Sequence, residues 1–286
     1  MESAEINNLQ KIATQVRRDI IRMTNHAKSG HPGGALGAAD LLTVLFFHTM
    51  HIDPDKYTDN GIGEDVFFLS NGHLSALFYS ILARRGYFDV DELSTFRKLN
   101  SRLQGHPASV DNIPGIRISS GSLGQGLSVA IGHALAKKLN NDNHLVYVLC
   151  GDGELQEGQN WEAFMFAAHH KVDNLIAIID FNNKQIDGNV SDVMSLGSLE
   201  DKMKAFGWYT LNMDGHSYKD IIASLQVAGQ VSGQSKPVCI IMHSVMGKGV
   251  DFMENDHHWH GVAPDDEQTI RALAQLPETL GDFKII

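Results

Sequence analysis

Three short runs constrain the fold of this 286-residue chain most: HLVYVLC (144–150), NLIAIIDF (174–181) and KPVCIIMHS (236–244). They are rich in Val, Ile and Leu and lack the polar alternation of a strand with one wet face. A strand that is apolar on both sides must be covered on both sides, which is the situation of a central strand in a parallel sheet. The segments NWEAFMFAAHH (160–170) and YKDIIASLQVAG (218–229), lying between such runs, read as helices. Strands alternating with helices in this way predict an α/β fold, a mostly parallel sheet with helices on both faces.

The remaining chain fits that frame. Ile6, Leu9, Ile12, Val16, Ile20 and Met23 recur at three-to-four spacing, which predicts an amphipathic helix ending at SGHPGG (29–34), where two breakers are expected to stop any regular element. ALGAADLLTVLFFHTM (35–50) reads as one almost wholly apolar, buried helix. DVFFLS (65–70) and GWYTLNM (207–213) supply further strands. LSALFYSILARRG (74–86), GSLGQGLSVAIGHALAKKLN (121–140) and DDEQTIRALAQL (265–276) supply further helices. There is no internal repeat and no low-complexity linker, so one domain over residues 1–286 is expected.

Charge and composition narrow the function. A formal net charge of −11 argues against general nucleic-acid binding, which needs a positive field. No apolar run reaches membrane-spanning length and no signal-peptide core is present. The two cysteines, Cys150 and Cys239, lie in apolar strand-like runs, which fits a reducing cytoplasm better than a disulfide framework.

The most informative polar stretch is GDGELQEGQN (151–160), placed directly after a buried strand. Its glycines suit close approach to an anion, yet Asp152, Glu154 and Glu157 are acidic. Twenty-eight residues separate this GDG from the Asn182–Asn183 pair beyond the next strand, a length that suits loop, helix and strand. Ligands of an open parallel sheet gather at the carboxyl ends of its strands, so Asp152 and Asn182 are expected to converge there. Their hard oxygen donors favour Mg2+ or Ca2+ over zinc, and Mg2+ typically completes its shell with phosphate oxygens and water. The cation would then turn repulsion between carboxylate and phosphate into attraction, while amides around Gly151 and Gly153 reach the remaining oxygens.

GDG, twenty-eight residues and NN resemble the thiamine-diphosphate fingerprint. The surrounding words SGHPGGALGAADLLTVLF, FFLSNGHLSALFYSIL, GHP, GSLGQGLSVAIGHALA, GDGELQEGQNWEA and NLIAIIDFNNKQIDG narrow the resemblance to transketolase, from about Ile6 to Gly261. That resemblance implies thiamine diphosphate with Mg2+ as cofactors, Ca2+ or Mn2+ being able to substitute. Asp152, Asn182 and the carbonyl of Lys184 match the metal ligands. Gly153 and His73 match residues at the diphosphate, and Gly121 and Leu123 match residues lining the thiazolium and aminopyrimidine. The family usually has proline where this chain has Ser122. His31, His106 and His260 match active-site histidines that bind the ketose donor and move protons, and His260 also faces the diphosphate. Gln185 and Lys248 are further pocket candidates.

Histidine suits that work because its proton exchanges near neutral pH, while the cofactor supplies the electron sink. Read without the family, each histidine could equally be structural. NDHHWH (255–260) could be a transition-metal cluster, and His169 and His170 are expected to meet the last carbonyls of their helix.

Transketolases resembling this chain carry a second domain that supplies the activating glutamate, and no glutamate here matches it. Glu157, counted with the cofactor-site residues, and Glu162 match positions at the interface between cofactor-binding domains. The resemblance therefore implies the amino-terminal subunit of a split transketolase, acting on sugar phosphates with a separate carboxyl-terminal chain, as two copies of each. Ketol transfer by this chain on its own is not expected. Alternatives are a related subunit for an unusual sugar phosphate or sulfosugar, a synthase of the 1-deoxyxylulose-5-phosphate type, a non-catalytic scaffold, or a Mg2+-dependent hydrolase. The last would need a positioned water-activating base, and the sequence offers no second carboxylate pair at convincing spacing.

Overall fold

The apolar runs pair side by side in the computed structural model, which describes residues 3–285. Val66–Leu69 (β1), Val146–Gly151 (β2) and Leu175–Phe181 (β3) are parallel neighbours. Past a two-residue hairpin of Lys184–Gln185 (β4) and Gly188–Asn189 (β5), Tyr209–Asp214 (β6) and Val238–His243 (β7) complete a five-stranded parallel sheet. Its order is β1-β2-β3-β7-β6.

Ten α-helices among the described residues accompany the strands. They are Ser3–Ala27 (α1), Pro32–Gly37 (α2), Ala39–Val44 (α3), Ser75–Arg85 (α4), Gly126–Leu139 (α5) and Gly158–His169 (α6), then Val190–Met194 (α7), Leu199–Ala205 (α8), Tyr218–Val231 (α9) and Asp266–Gln275 (α10). Two hydrophobic layers result from strand alternation. Tyr147, Leu149, Ile176, Ile178 and Ile240 pack with residues of α1, α3, α4 and α9. Their sequence neighbours Val148, Cys150, Ala177, Ile179 and Ile241 pack with Leu127 of α5, Phe164 of α6 and Met203 of α8. Both faces of the central strands are thus buried, each large aliphatic side chain contributing about 1.5–3 kcal/mol.

Two buried ion pairs pin α1. Arg84 of α4 grips Asp19 through Nε and a terminal nitrogen, both at 2.8 Å, and Ser80 donates to the same carboxylate at 2.8 Å. Arg17 holds Asp40 of α3 in the same two-pronged manner, at 2.9 and 2.7 Å.

The SGHPGG stretch departs from expectation. It does not exclude regular structure: Pro32 opens α2, at a position where its missing N–H is not needed. The single helix expected over 35–50 is instead α2, a break at Ala38, α3 and a wide π-type turn at Leu45–Thr49. Close packing accounts for the glycines here. A Cβ on Gly33 would lie 2.8 Å from the carbonyl oxygen of Trp259, so glycine lets α2 touch the distant loop that carries His260. The β4–β5 hairpin, α7 and α8 had no clear sequence signature.

Candidate cofactor site

The carboxyl ends of β1, β2 and β3 lie side by side and release Ser70–His73, Asp152–Glu157 and Asn182–Gln185 into one cavity of about 370 Å³. Parallel register makes these loops neighbours, as the sequence analysis anticipated. His31, His73, His106, Gly121, Leu123, Asp152, Gly153, Glu157, Asn182, Lys184, Gln185 and His260 all line it. Lys248 does not, and pairs with Glu254 at 3.3 Å.

Asp152 is held firmly. Its two oxygens accept from the amides of Gly153 at 2.8 Å and Asn183 at 2.5 Å. Asn182 accepts from the Lys184 amide at 2.8 Å and donates to Asp180 at 3.1 Å. Asp180, buried in β3, also accepts from the Ser244 hydroxyl. Burial, followed by the proximity of Asp180, pushes Asp152 up to about 7, and burial pushes Asp180 up to about 6. Among the described residues, no lysine or arginine forms a salt bridge with either. Two neighbouring buried carboxyls that form no salt bridge among the described residues are a place where a divalent ion would relieve the electrostatics.

Sequence reasoning missed Asp180 as a partner of this site, although it is the one charged residue in an otherwise apolar run. It also gave no role to Glu154. That carboxylate is buried and turned inward, accepting from the amides of Gly124 at 2.9 Å and Gly151 at 3.0 Å and from the Ser70 hydroxyl. Burial raises its pKa. The apparent clash of three acidic residues with an anion therefore separates into three environments: Asp152 faces the cavity, Glu154 binds backbone, and Glu157 lies exposed at the rim.

Four imidazoles form the opposite wall. Ring centroids are 5.3 Å apart for His31–His73, 5.7 Å for His31–His260, 6.3 Å for His31–His106 and 5.1 Å for His73–His260. Burial, then mutual repulsion, lowers His31 to about 4 and His73 to about 3. His106 and His260 are lowered as well, mainly by burial. These rings are neutral near pH 7, each able to donate at one nitrogen and accept at the other. Gly121 belongs here sterically: its φ is +127°, and a Cβ would lie 2.8 Å from the His106 ring.

The cavity also has unmet polar demand. The side-chain oxygen of Asn71 and the Nδ1 atoms of His31 and His260 are buried without a hydrogen-bond partner among the described residues. Asn71 was not anticipated; its place just beyond β1 was the available signal. Oxygen donors at one end and unpaired imidazole nitrogens at the other suit a ligand carrying both a cation-bound anion and a polar head.

This is the architecture of a domain that holds a diphosphate cofactor at the carboxyl edge of a parallel sheet. Residues 9–281 match the family model for the transketolase thiamine diphosphate binding domain, and the chain belongs to the transketolase family. It is 37% identical over 276 residues to one of the subunits of the apulose-4-phosphate transketolase from Phocaeicola vulgatus, covering 96% of each chain. It is 36% identical over 269 residues to a 6-deoxy-6-sulfo-D-fructose transketolase subunit of a Clostridium species, covering 94% of this chain and 96% of that one. The crystal structure of transketolase from Campylobacter jejuni superposes with a TM-score of 0.87 at 36% identity, covering 97% of this chain. The chain spans 44% of that enzyme's length.

Proposed function

We propose that the chain is the cofactor-binding, amino-terminal subunit of a two-polypeptide transketolase that moves a two-carbon ketol unit from a ketose phosphate to an aldose phosphate. The observation that carries this reading is the single cavity that sets Asp152 and Asn182 opposite four neutral histidines. Asp152, Asn182 and the Lys184 carbonyl would hold Mg2+, and Gly153, His73 and His260 would border the diphosphate. Gly121 and Leu123 would line the rings, with Glu157 at the rim. Thiamine diphosphate, when bound, supplies the nucleophilic carbon and the electron sink for breaking the bond between C2 and C3 of the donor.

The chain's own contribution is positional and protonic. His31 and His106 lie within one imidazole's reach of each other and would bind the donor hydroxyls. A neutral ring there can take the proton from the hydroxyl whose carbon becomes a carbonyl, and return one to the acceptor oxygen. His260, with its unpartnered Nδ1, would donate or accept at the other side of the same space.

The partner is read from the relatives, two of which are named as transketolase subunits of nearly this length. Glu157 at the rim and the half-exposed Met165 and Phe166 beside Glu162 on α6 support contacts with a second copy and a carboxyl-terminal chain, giving two copies of each. The apulose phosphate and sulfofructose named for those relatives favour an unusual sugar over the common pentose phosphates. No helix among the described residues is long and apolar enough to cross a membrane. The two unpaired buried cysteines support a reducing, cytoplasmic setting.

The test is reconstitution. The chain, with and without a candidate carboxyl-terminal partner, is mixed with thiamine diphosphate, Mg2+, a panel of ketose phosphates and sulfosugars as donors and an aldose phosphate as acceptor, and transfer of the two-carbon ketol unit is followed. Transfer requiring both chains is expected. Transfer by this chain alone would reject the two-subunit reading, and no transfer by the pair on any donor would reject the activity.

A further inference from the structure

Asp256, His257 and His258 are the one group of at least three His, Cys, Asp or Glu side chains among the described residues whose candidate ligand atoms lie within 4.8 Å of one another. We infer that they form a binding site for a transition-metal cation of the zinc class, separate from the cofactor cavity. This inference does not depend on the proposed function.

The donor set is the first argument. Two imidazoles and one carboxylate suit zinc, cobalt or nickel, whereas Mg2+ prefers oxygen alone. None of the three lines the cavity that holds Asp152 and Asn182.

Local structure is the second. Asp256 caps the 3-10 turn His257–His260, accepting from the His258 amide at 3.0 Å and lying 2.7 Å from His258 Nδ1. That nitrogen–oxygen spacing is close to the roughly 3 Å between adjacent donors of an ion bound at about 2.0–2.1 Å. A cation lying to one side of that pair could take both donors once the His258 ring and the Asp256 carboxylate turn toward it and the shared proton passes to solvent. The His257 ring lies with its centroid 4.2 Å from that of His258, tilted by 37°, and makes no hydrogen bond among the described residues, so its nitrogens are available. The His258 side chain is 76% exposed, which gives an ion direct access from solvent.

The site would have a consequence at the cavity. His260 stands on the same short turn and contributes to the imidazole wall. A cation fixing the turn at its start would restrict the backbone that aims His260.

The experiment uses the full chain in excess Mg2+, with Co2+ as a spectroscopic probe and Zn2+ retained through gel filtration counted by elemental analysis. The unaltered protein should keep one Zn2+ per chain and show the visible absorption of nitrogen-ligated Co2+, and Asp152→Asn should do the same. The double change His257→Ala with His258→Ala should raise the Co2+ dissociation constant at least tenfold, since loss of supporting groups alone typically costs 10–100-fold. Asp256→Asn preserves a capping oxygen and hence the turn, and should also weaken binding. Equal Co2+ binding by either variant and the unaltered chain, or loss of the ion in Asp152→Asn, would overturn the assignment.

Discussion

Glu154 accepts a 2.9 Å hydrogen bond from the amide of Gly124, joining the turn after β2 to the loop that precedes α5. With Gly151 and Ser70 bound to the same carboxylate, one buried side chain fastens three segments of the cavity floor. Glu154→Gln would replace an acceptor oxygen with an NH2 group facing existing donors. We expect a loss of about 1–3 kcal/mol in urea unfolding and weaker thiamine diphosphate binding by calorimetry. An unchanged midpoint and unchanged affinity would mean the three bonds are incidental.

Asp152→Asn should separate stability from binding. The carboxyl is raised to about 7 in the folded chain, so its ionised form is disfavoured there relative to the unfolded chain at neutral pH. Removing that charge relieves this penalty but turns an NH2 group toward one of the two donating amides, so the melting temperature of the metal-free protein should move little while Mg2+-dependent binding of thiamine diphosphate is abolished. Calorimetric binding as tight as in the unaltered chain would place the cation elsewhere.

His106→Ala should leave cofactor affinity intact in the reconstituted pair and lower turnover by roughly 10²–10⁴-fold, the usual scale of general acid–base catalysis. A matching fall in cofactor affinity, measured by titration, would show that His106 serves the cofactor instead of the sugar.

The histidine wall makes a pH prediction. His31 and His73 are lowered to about 4 and about 3, against 6.5 when unperturbed. Between these values the unfolded chain binds more protons than the folded one, so these rings lower stability as pH falls below 6.5. Their ring proton resonances, assigned by His→Gln substitution, should show no titration between about pH 8 and 5. A midpoint near 6.5 for either ring would contradict its burial.

Arg84→Met leaves Asp19 buried with only Ser80 and Gln15 as hydrogen-bond partners. Breaking a buried pair on one side typically costs about 3–5 kcal/mol, and denaturant unfolding should show a loss of that order. The paired change Arg84→Met with Asp19→Leu should recover much of it.

How much was readable in advance follows from what each feature depends on. The strands at 146–151, 175–181 and 238–243 were legible because burial on two faces leaves an unbroken apolar run. Their carboxyl ends then placed Asp152 and Asn182 together without any coordinates. The bends at Ala38 and Leu45 were not legible, since a wholly apolar stretch gives no periodicity to show where a helix breaks. Asp180 and Glu154 were passed over because their roles rest on contacts with Ser244, Gly124 and Ser70, each distant in sequence. Turn-forming α7 and α8 lack the length for a periodic signal. The transketolase words carried the assignment of individual histidines; spacing alone left each of them open.

The contact between α2 and the Trp259 carbonyl has a bearing on the order of events in the cell. His31 leaves the ribosome well before His260, which follows it far along the chain, yet both form one wall of the cavity. The complete cavity therefore cannot exist on a nascent chain until β7 and the loop beyond it have emerged and docked against α2. Ligand capture would then act as a late checkpoint on synthesis, rewarding only chains in which α2 and the loop carrying His260 have met.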